Sequence, residues 1–136
     1  MLRLYLQVSE DMRRIPTKIQ LHKKSKTLEL HFGAQAYQLS AEYLRVHSPS
    51  AEVKGHGPDQ AVLQTGKKEV AINAIKQAGN YALKLVFDDG HDSGIYTWDY
   101  LYQLCVNYEN NWQSYLEALQ QAGESREKDT SVVKFV

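Results

Sequence analysis

Five histidines, one cysteine and a cluster of aspartates around a glycine are the residues of this chain whose types suit chemistry. His91 stands in Asp88-Asp89-Gly90-His91-Asp92, while His47 and His56 lie in or beside a second loop. Neutral imidazoles near a carboxylate are what zinc, iron or nickel accept, so His47, His56 and His91 form a candidate divalent-metal set. The interval from His47 to His56 is not a stereotyped ligand spacing, and a second reading stands beside the first. In that reading His91 fixes its own hairpin by hydrogen bonding and the other two are solvated. His22 and His31 fall on outward positions of a predicted hairpin and read as solvated surface residues.

Cys105 is the only cysteine, which excludes an intramolecular disulfide and a thiolate cage for zinc. It falls on the apolar stripe of a predicted helix, where it reads as a small buried hydrophobe and not as a reactive thiol. Asp88 and Asp89, beside Gly90, read as turn residues and not as paired catalytic carboxylates. The sequence holds no nucleophile elbow, no phosphate-cradling glycine loop and no His-Glu-x-x-His pair, so no catalytic residues are expected. Lysine plus arginine and aspartate plus glutamate number 16 each, so no net field favours nucleic acid or an anionic membrane. No segment approaches the ~20 apolar residues that cross a bilayer, and the N-terminus lacks the pattern of an export signal. The chain reads as soluble and cytoplasmic, with another protein as its expected partner.

The elements that must position these residues follow from two periods. Ile19 and Leu21, then Leu28, Leu30 and Phe32, alternate with polar residues across Lys23-Lys24-Ser25-Lys26, which marks two half-buried strands joined by a hairpin. A third strand over 36–39 leads to Ser40, which caps a helix over 41–46 with Glu42 at its positive end. The grammar recurs: a strand over 70–77, a turn at Gly79-Asn80, and an apolar face of Tyr81, Leu83, Leu85 and Phe87. After the turn at Asp88-Asp89-Gly90-His91 come a third strand over 94–96 and a helix capped by Thr97. Leu28 to Phe32 matches Leu83 to Phe87, and Ser40 to Leu44 matches Thr97 to Leu101. The second hairpin is two residues longer. The expected fold is α+β, two β-β-β-α units built as antiparallel meanders in one domain. A C-terminal helix, or a helix pair broken near Tyr108, packs on the sheets. Residues 48–69 between the halves are rich in glycine and polar groups and too long for a bland connection. Residues 1–15 read as an appendage, 16–122 as the domain, and 123–136 as a flexible tail.

Ile15-Pro16-Thr17-Lys18-Ile19, Tyr43-Leu44-Arg45 and the run from Asn80 through Asp89-Gly90-His91-Asp92-Ser93-Gly94-Ile95-Tyr96-Thr97-Trp98 to Leu101 resemble the gamma-butyrobetaine hydroxylase-like N-terminal domain family. Asp89, Gly90, His91, Gly94, Tyr96 and Trp98 carry the signature. The resemblance implies a domain found at the N-terminus of carnitine-pathway dioxygenases, fused to P-loop iron–sulfur carrier ATPases, or as a short stand-alone bacterial protein. This chain resembles the last most, with no hydroxylase domain expected. The hydroxylases it resembles hold a structural zinc by three cysteines and one histidine. Position by position the histidine is His91 and the cysteines fall on Ser48, Ser50 and Val53, which cannot act as thiolates. Any metal, zinc or iron, would then need His47 or His56 as a substitute.

Two functions follow as expectations. One is a non-catalytic accessory domain, metal-binding and linked to iron–sulfur or metal metabolism through a larger partner. The other is a metal-free protein-interaction module. Its anchors would be the aromatics Tyr96, Tyr100, Tyr102 and Tyr108, unless these pack between helix and sheet, or the apolar stretch Val132-Val133-Lys134-Phe135-Val136.

Overall fold

Alternating burial along the first hairpin fixes its register. Strands β1 (Lys18–His22) and β2 (Thr27–Phe32) pair antiparallel with Ile19 opposite Leu30 and Leu21 opposite Leu28. Strand β3 (Gln35–Ser40) pairs with β2 on its other side, placing Leu39 beside Leu28. The structure, a computed structural model, describes residues 14–128. Helix α1 (Ala41–Val46) follows at once, its first turn capped by Ser40 Oγ accepting from Tyr43 N–H at 3.0 Å. A one-turn helix α2 (Ala51–Lys54) and a 3-10 turn (Pro58–Gln60) lie in the long connection. The second half repeats the order: β4 (Ile72–Ala78), β5 (Ala82–Phe87), β6 (Ile95–Thr97) and α3 (Trp98–Val106), with Thr97 Oγ1 accepting from Tyr100 N–H at 3.1 Å. Helix α4 (Tyr108–Ala122) closes the order after a break at Asn107. Each half is thus a three-stranded antiparallel sheet with its middle strand second in sequence.

The halves share one core. Leu28, Leu30 and Leu39 of the first sheet meet Leu83, Leu85 and Phe87 of the second, with Tyr43, Leu44, Leu101 and Leu104 between. At roughly 2 kcal/mol for each fully buried large side chain, this cluster is the main stabilising term. The repeat is also written in hydrogen bonds. Tyr43 donates its hydroxyl to the Leu104 carbonyl at 2.6 Å, and Tyr100 donates to the His47 carbonyl at 2.7 Å. Tyr43 and Tyr100 are 57 residues apart (100 − 43), as are His47 and Leu104 (104 − 47), so each helix binds the end of the other. The symmetry fails at one place. Two residues join β2 to β3, whereas residues 88–94 join β5 to the shorter β6, and this longer connection carries His91.

Four expectations need correction. Tyr81 is not on the apolar face: it is 64% exposed, its ring lying against Gly79. Tyr96 and Tyr100 are not free anchors, because their hydroxyls are spent on the Leu44 and His47 carbonyls. Tyr108 stacks on Tyr43 with ring centres 4.8 Å apart, and Tyr102 packs on Phe32. Part of the tail read as flexible is docked: Gly66 N–H donates to the Ser125 carbonyl and Lys68 N–H to the Arg126 carbonyl, both at 3.0 Å. Residues 129–136, including the Val132–Val136 stretch, lie outside the described residues, as do residues 1–13 of the appendage.

The fourth correction concerns His22 and His31. Both donate to Glu29, which the strand register sets between them, His22 at 2.7 Å. These hydrogen bonds, with Lys18 at 3.4 Å, pull the Glu29 carboxyl from 4.5 to about 2. A depressed folded value means that Glu29 stabilises the fold above the usual carboxylate range and loses that contribution as pH falls through about 2. A carboxyl carbon-13 titration should give a Glu29 midpoint near that value. A midpoint in the ordinary range would mean that the clamp is not made in solution.

Candidate metal corner and adjoining cleft

The connection after β5 turns at Gly90, whose φ of 88° suits glycine, and folds back toward α1. There His91, 5% exposed, meets the start of the long loop. Its Nδ1–H donates to Glu52 Oε2 at 3.0 Å, which leaves Nε2 to accept from the Ser48 hydroxyl at 2.8 Å. Ser48 is fully buried, and its oxygen also accepts from Ser50 N–H at 3.3 Å. Ser50 Oγ caps α2 and bonds Ser93 Oγ at 2.7 Å, while Val53 is buried beside them. A Cβ on Gly94 would come within 2.5 Å of Ser48 Oγ, so this close approach requires glycine. Burial lowers the His91 pKa, Arg45 adds to the effect, and the ring is held neutral.

The neighbouring charges are paired. Arg45, 8% exposed at its side chain, donates to Asp89 Oδ2 at 2.8 Å, and Lys67 reaches the same oxygen at 2.6 Å. Burial pushes the Asp89 carboxyl up, but Lys67, the His91 N–H and Arg45 outweigh it and hold it below its usual range. Asp88 Oδ1 accepts from Ala71 N–H at 3.0 Å across 17 positions, while Asp89 Oδ1 accepts from His91 N–H two residues on at 3.2 Å, as a turn aspartate does. Of the other signature residues, Tyr96 donates to the Leu44 carbonyl at 2.5 Å and Trp98 Nε1–H to the Asn80 carbonyl at 2.9 Å. The signature therefore builds the corner and its supports.

The three candidate metal histidines do not converge. His91 has both nitrogens engaged. His47 donates Nδ1–H to the Tyr43 carbonyl at 2.9 Å and stacks on the Tyr43 ring. His56 is exposed, and only its backbone N–H is bonded, to Gln60. Among the described residues, no three or more His, Cys, Asp or Glu groups are arranged to hold a metal. At the inherited positions the donor set is wrong for zinc, since Ser48 and Ser50 are neutral hydroxyls committed to other partners and Val53 has no donor. Cys105 is also unavailable, 5% exposed with burial pushing its thiol up to about 12.

Two features of this region escape sequence patterning. Glu52, the carboxylate behind His91, is marked only by its place two residues after the helix-capping Ser50. The second is an apolar cleft of about 320 Å³ beside the corner, walled by the long loop and by Tyr100 and Tyr115. No pattern within either sequence segment marks it, because its walls come from segments about 50 residues apart.

Comparison with known proteins bears on this geometry. A sequence profile described as gamma-butyrobetaine hydroxylase-like, N-terminal, matches residues 19–102. The chain is similar to a protein whose solution structure was determined by NMR, with 59% identity over 90% of this chain and 98% of that one, at a TM-score of 0.77. A second NMR solution structure shares 51% identity over 89% and 92% of the two chains, with a TM-score of 0.71. A crystal structure of a protein of unknown function of the DUF971 family, from Acidithiobacillus ferrooxidans ATCC 23270, shares 33% identity over 68% of this chain and 93% of that one, with a TM-score of 0.57. A search of curated proteins found no match. No helix among the described residues is long and apolar enough to cross a membrane.

Proposed function

The chain belongs to the gamma-butyrobetaine hydroxylase-like N-terminal family, and from that membership we propose that it is a non-catalytic accessory domain that docks on a larger protein without a bound metal. The observation that carries this reading is the chain from Glu52 through His91 to Ser48, which fills the corner with hydrogen bonds where the family resemblance implies zinc. A corner closed this way holds the 48–69 loop against the second sheet without a metal cross-link. The state of the groups that carry chemistry supports an accessory role: the single thiol is buried, Asp88 accepts from a backbone N–H, Asp89 is paired with Arg45 and Lys67, and Glu52 is bonded to the His91 ring. Docking on a larger partner rests on the resemblance, in whose members this domain is joined to enzymes and carriers.

The test is metal analysis of the full chain purified without a histidine tag, followed by zinc titration in a calorimeter. The expected result is substoichiometric zinc and iron, with no binding heat in the micromolar range. Recovery of its protein partner should be the same with and without a chelator. One equivalent of tightly held metal, or a partner lost on chelation, would overturn the metal-free reading.

A further inference from the structure

The long loop does more than reach the corner. Val62 N–H donates to the Val53 carbonyl at 2.7 Å, which folds residues 61–64 back over α2 and leaves the cleft between them and the Tyr100–Tyr115 floor. The lining is mostly apolar, with Val46, Val53 and Leu63 prominent. Its volume, about 320 Å³, lies at the small end of pockets that hold small molecules. Three backbone groups in the walls are already used: the His47 carbonyl by Tyr100, the Gln64 carbonyl by Tyr115 and the Val62 N–H by Val53. With these groups taken, the lining offers its side chains for recognition.

Two side chains remain with capacity. Lys54 sets its ammonium 4.3 Å from the centre of the Tyr100 ring and makes no ion pair among the described residues. His47 spends Nδ1–H on the Tyr43 carbonyl at 2.9 Å, so the neutral ring presents Nε2 as an acceptor. Among the described residues no fully buried polar side-chain atom lacks a partner, so the unbonded Nε2 of His47, a residue of the cleft lining, is not fully buried. No aspartate or glutamate lines the cleft. A cationic ligand would therefore meet repulsion and no counter-charge, while an anion would meet Lys54.

We propose that this cleft binds a small organic monocarboxylate whose planar apolar body carries an N–H or O–H donor. Lys54 takes the carboxylate, His47 Nε2 takes the donor, and the valine, leucine and tyrosine side chains cover the body. The cleft shares Ser48 and Val53 with the corner, but Lys54 and His47, which take the ligand's polar groups, lie outside the Glu52–His91–Ser48 chain, so the two readings fail separately.

The test is a titration of the nitrogen-15-labelled full chain with indole-3-acetate at neutral pH, followed by NMR. Saturable shifts centred on His47, Lys54, Leu63, Tyr100 and Tyr115 are expected. Indole-3-acetamide, which lacks the charge, and naphthalene-1-acetate, which lacks the donor, should each bind roughly fivefold or more weakly. Lys54→Gln, a change at an exposed position that preserves the fold's spectrum, should weaken indole-3-acetate similarly and leave the acetamide unchanged. Shifts that do not saturate, shifts centred elsewhere, or equal binding of acid and amide would each overturn the proposal. Binding of a peptide carboxyl terminus where indole-3-acetate fails would also overturn it, by assigning the cleft to a protein partner.

Discussion

Replacing Ser48, Ser50 and Val53 together with cysteine is expected to turn the corner into a site that binds a single zinc ion with nanomolar affinity. The supporting geometry is already in place. His91 presents Nε2 to Ser48 Oγ at 2.8 Å, and its Nδ1–H is held by the Glu52 carboxylate, the arrangement that orients a zinc-ligating imidazole. A cysteine sulfur is larger than the hydroxyl it replaces. Tetrahedral zinc would set it about 3.5 Å from the histidine nitrogen, an opening of under one ångström. Structural zinc sites contribute roughly 10–16 kcal/mol of binding free energy, against which the loss of one buried serine–histidine hydrogen bond, about 1–3 kcal/mol, is small. With zinc at a hundredfold its Kd, linkage adds about 2.7 kcal/mol to the variant's stability. Calorimetry and the absorption spectrum of the cobalt-loaded variant read the outcome. Adding His91→Ala should abolish tight binding, and restoring Val53 alone should weaken it. A folded triple variant that takes up no zinc, or takes it up without needing His91, would show that these positions do not face one point.

Much of this corner was legible before any coordinates, and the reason is local. The period-two runs that place β2 and β5, the caps at Ser40 and Thr97, and the helix break at Asn107 are all decided within a few residues. The alignment of Ser48, Ser50, Val53 and His91 came from the resemblance and not from patterning, and the structure sets Ser48 Oγ 2.8 Å from His91 Nε2. What patterning could not give is long-range pairing. The candidate histidines His47, His56 and His91 share a residue type but no partners: the His47 ring bonds the Tyr43 carbonyl, the His91 ring bonds Ser48 and Glu52, and His56 is bonded through its backbone. Glu29 was recoverable in principle. Once Gln20 is set opposite Glu29, His22 and His31 lie on the same face at either side of it. The reciprocal tyrosines were recoverable in the same way from the 57-residue offset. The cleft was not, since no repeat or period relates Val53 and Leu63 to Tyr115.

The docked tail is the clearest case of a contact with no sequence signal, and removing its anchor is the second large effect expected. Arg126 grips Glu42 with two hydrogen bonds, Nε to Oε2 at 2.8 Å and Nη2 to Oε1 at 2.7 Å, across 84 positions (126 − 42). The Glu42 side chain is only 6% exposed, while Arg126 is 35% exposed and lies 5.1 Å from the centre of the Trp112 ring. Removing one partner of a fully buried pair costs about 3–5 kcal/mol, but water reaches this arginine, which reduces the expected cost of Arg126→Ala to about 2 kcal/mol. For a domain of this size that lowers Tm by roughly 8 °C. Arg126→Lys keeps the charge but not the fork, and should recover only part of the loss. Because Ser125 and Arg126 accept from the Gly66 and Lys68 N–H groups, those two amides should lose their protection by local undocking in Arg126→Ala, while amides of β2 and β5 should speed up only by the factor the global loss sets, roughly thirtyfold for about 2 kcal/mol. Unchanged melting together with unchanged exchange at Gly66 and Lys68 would mean that residues 124–127 contribute nothing to the fold. Combining Arg126→Ala with Glu42→Gln should cost less than the sum of the two single changes, since the uncompensated charge is then gone. That difference measures how much of the arginine's effect is attachment of the tail and how much is relief of a buried carboxylate.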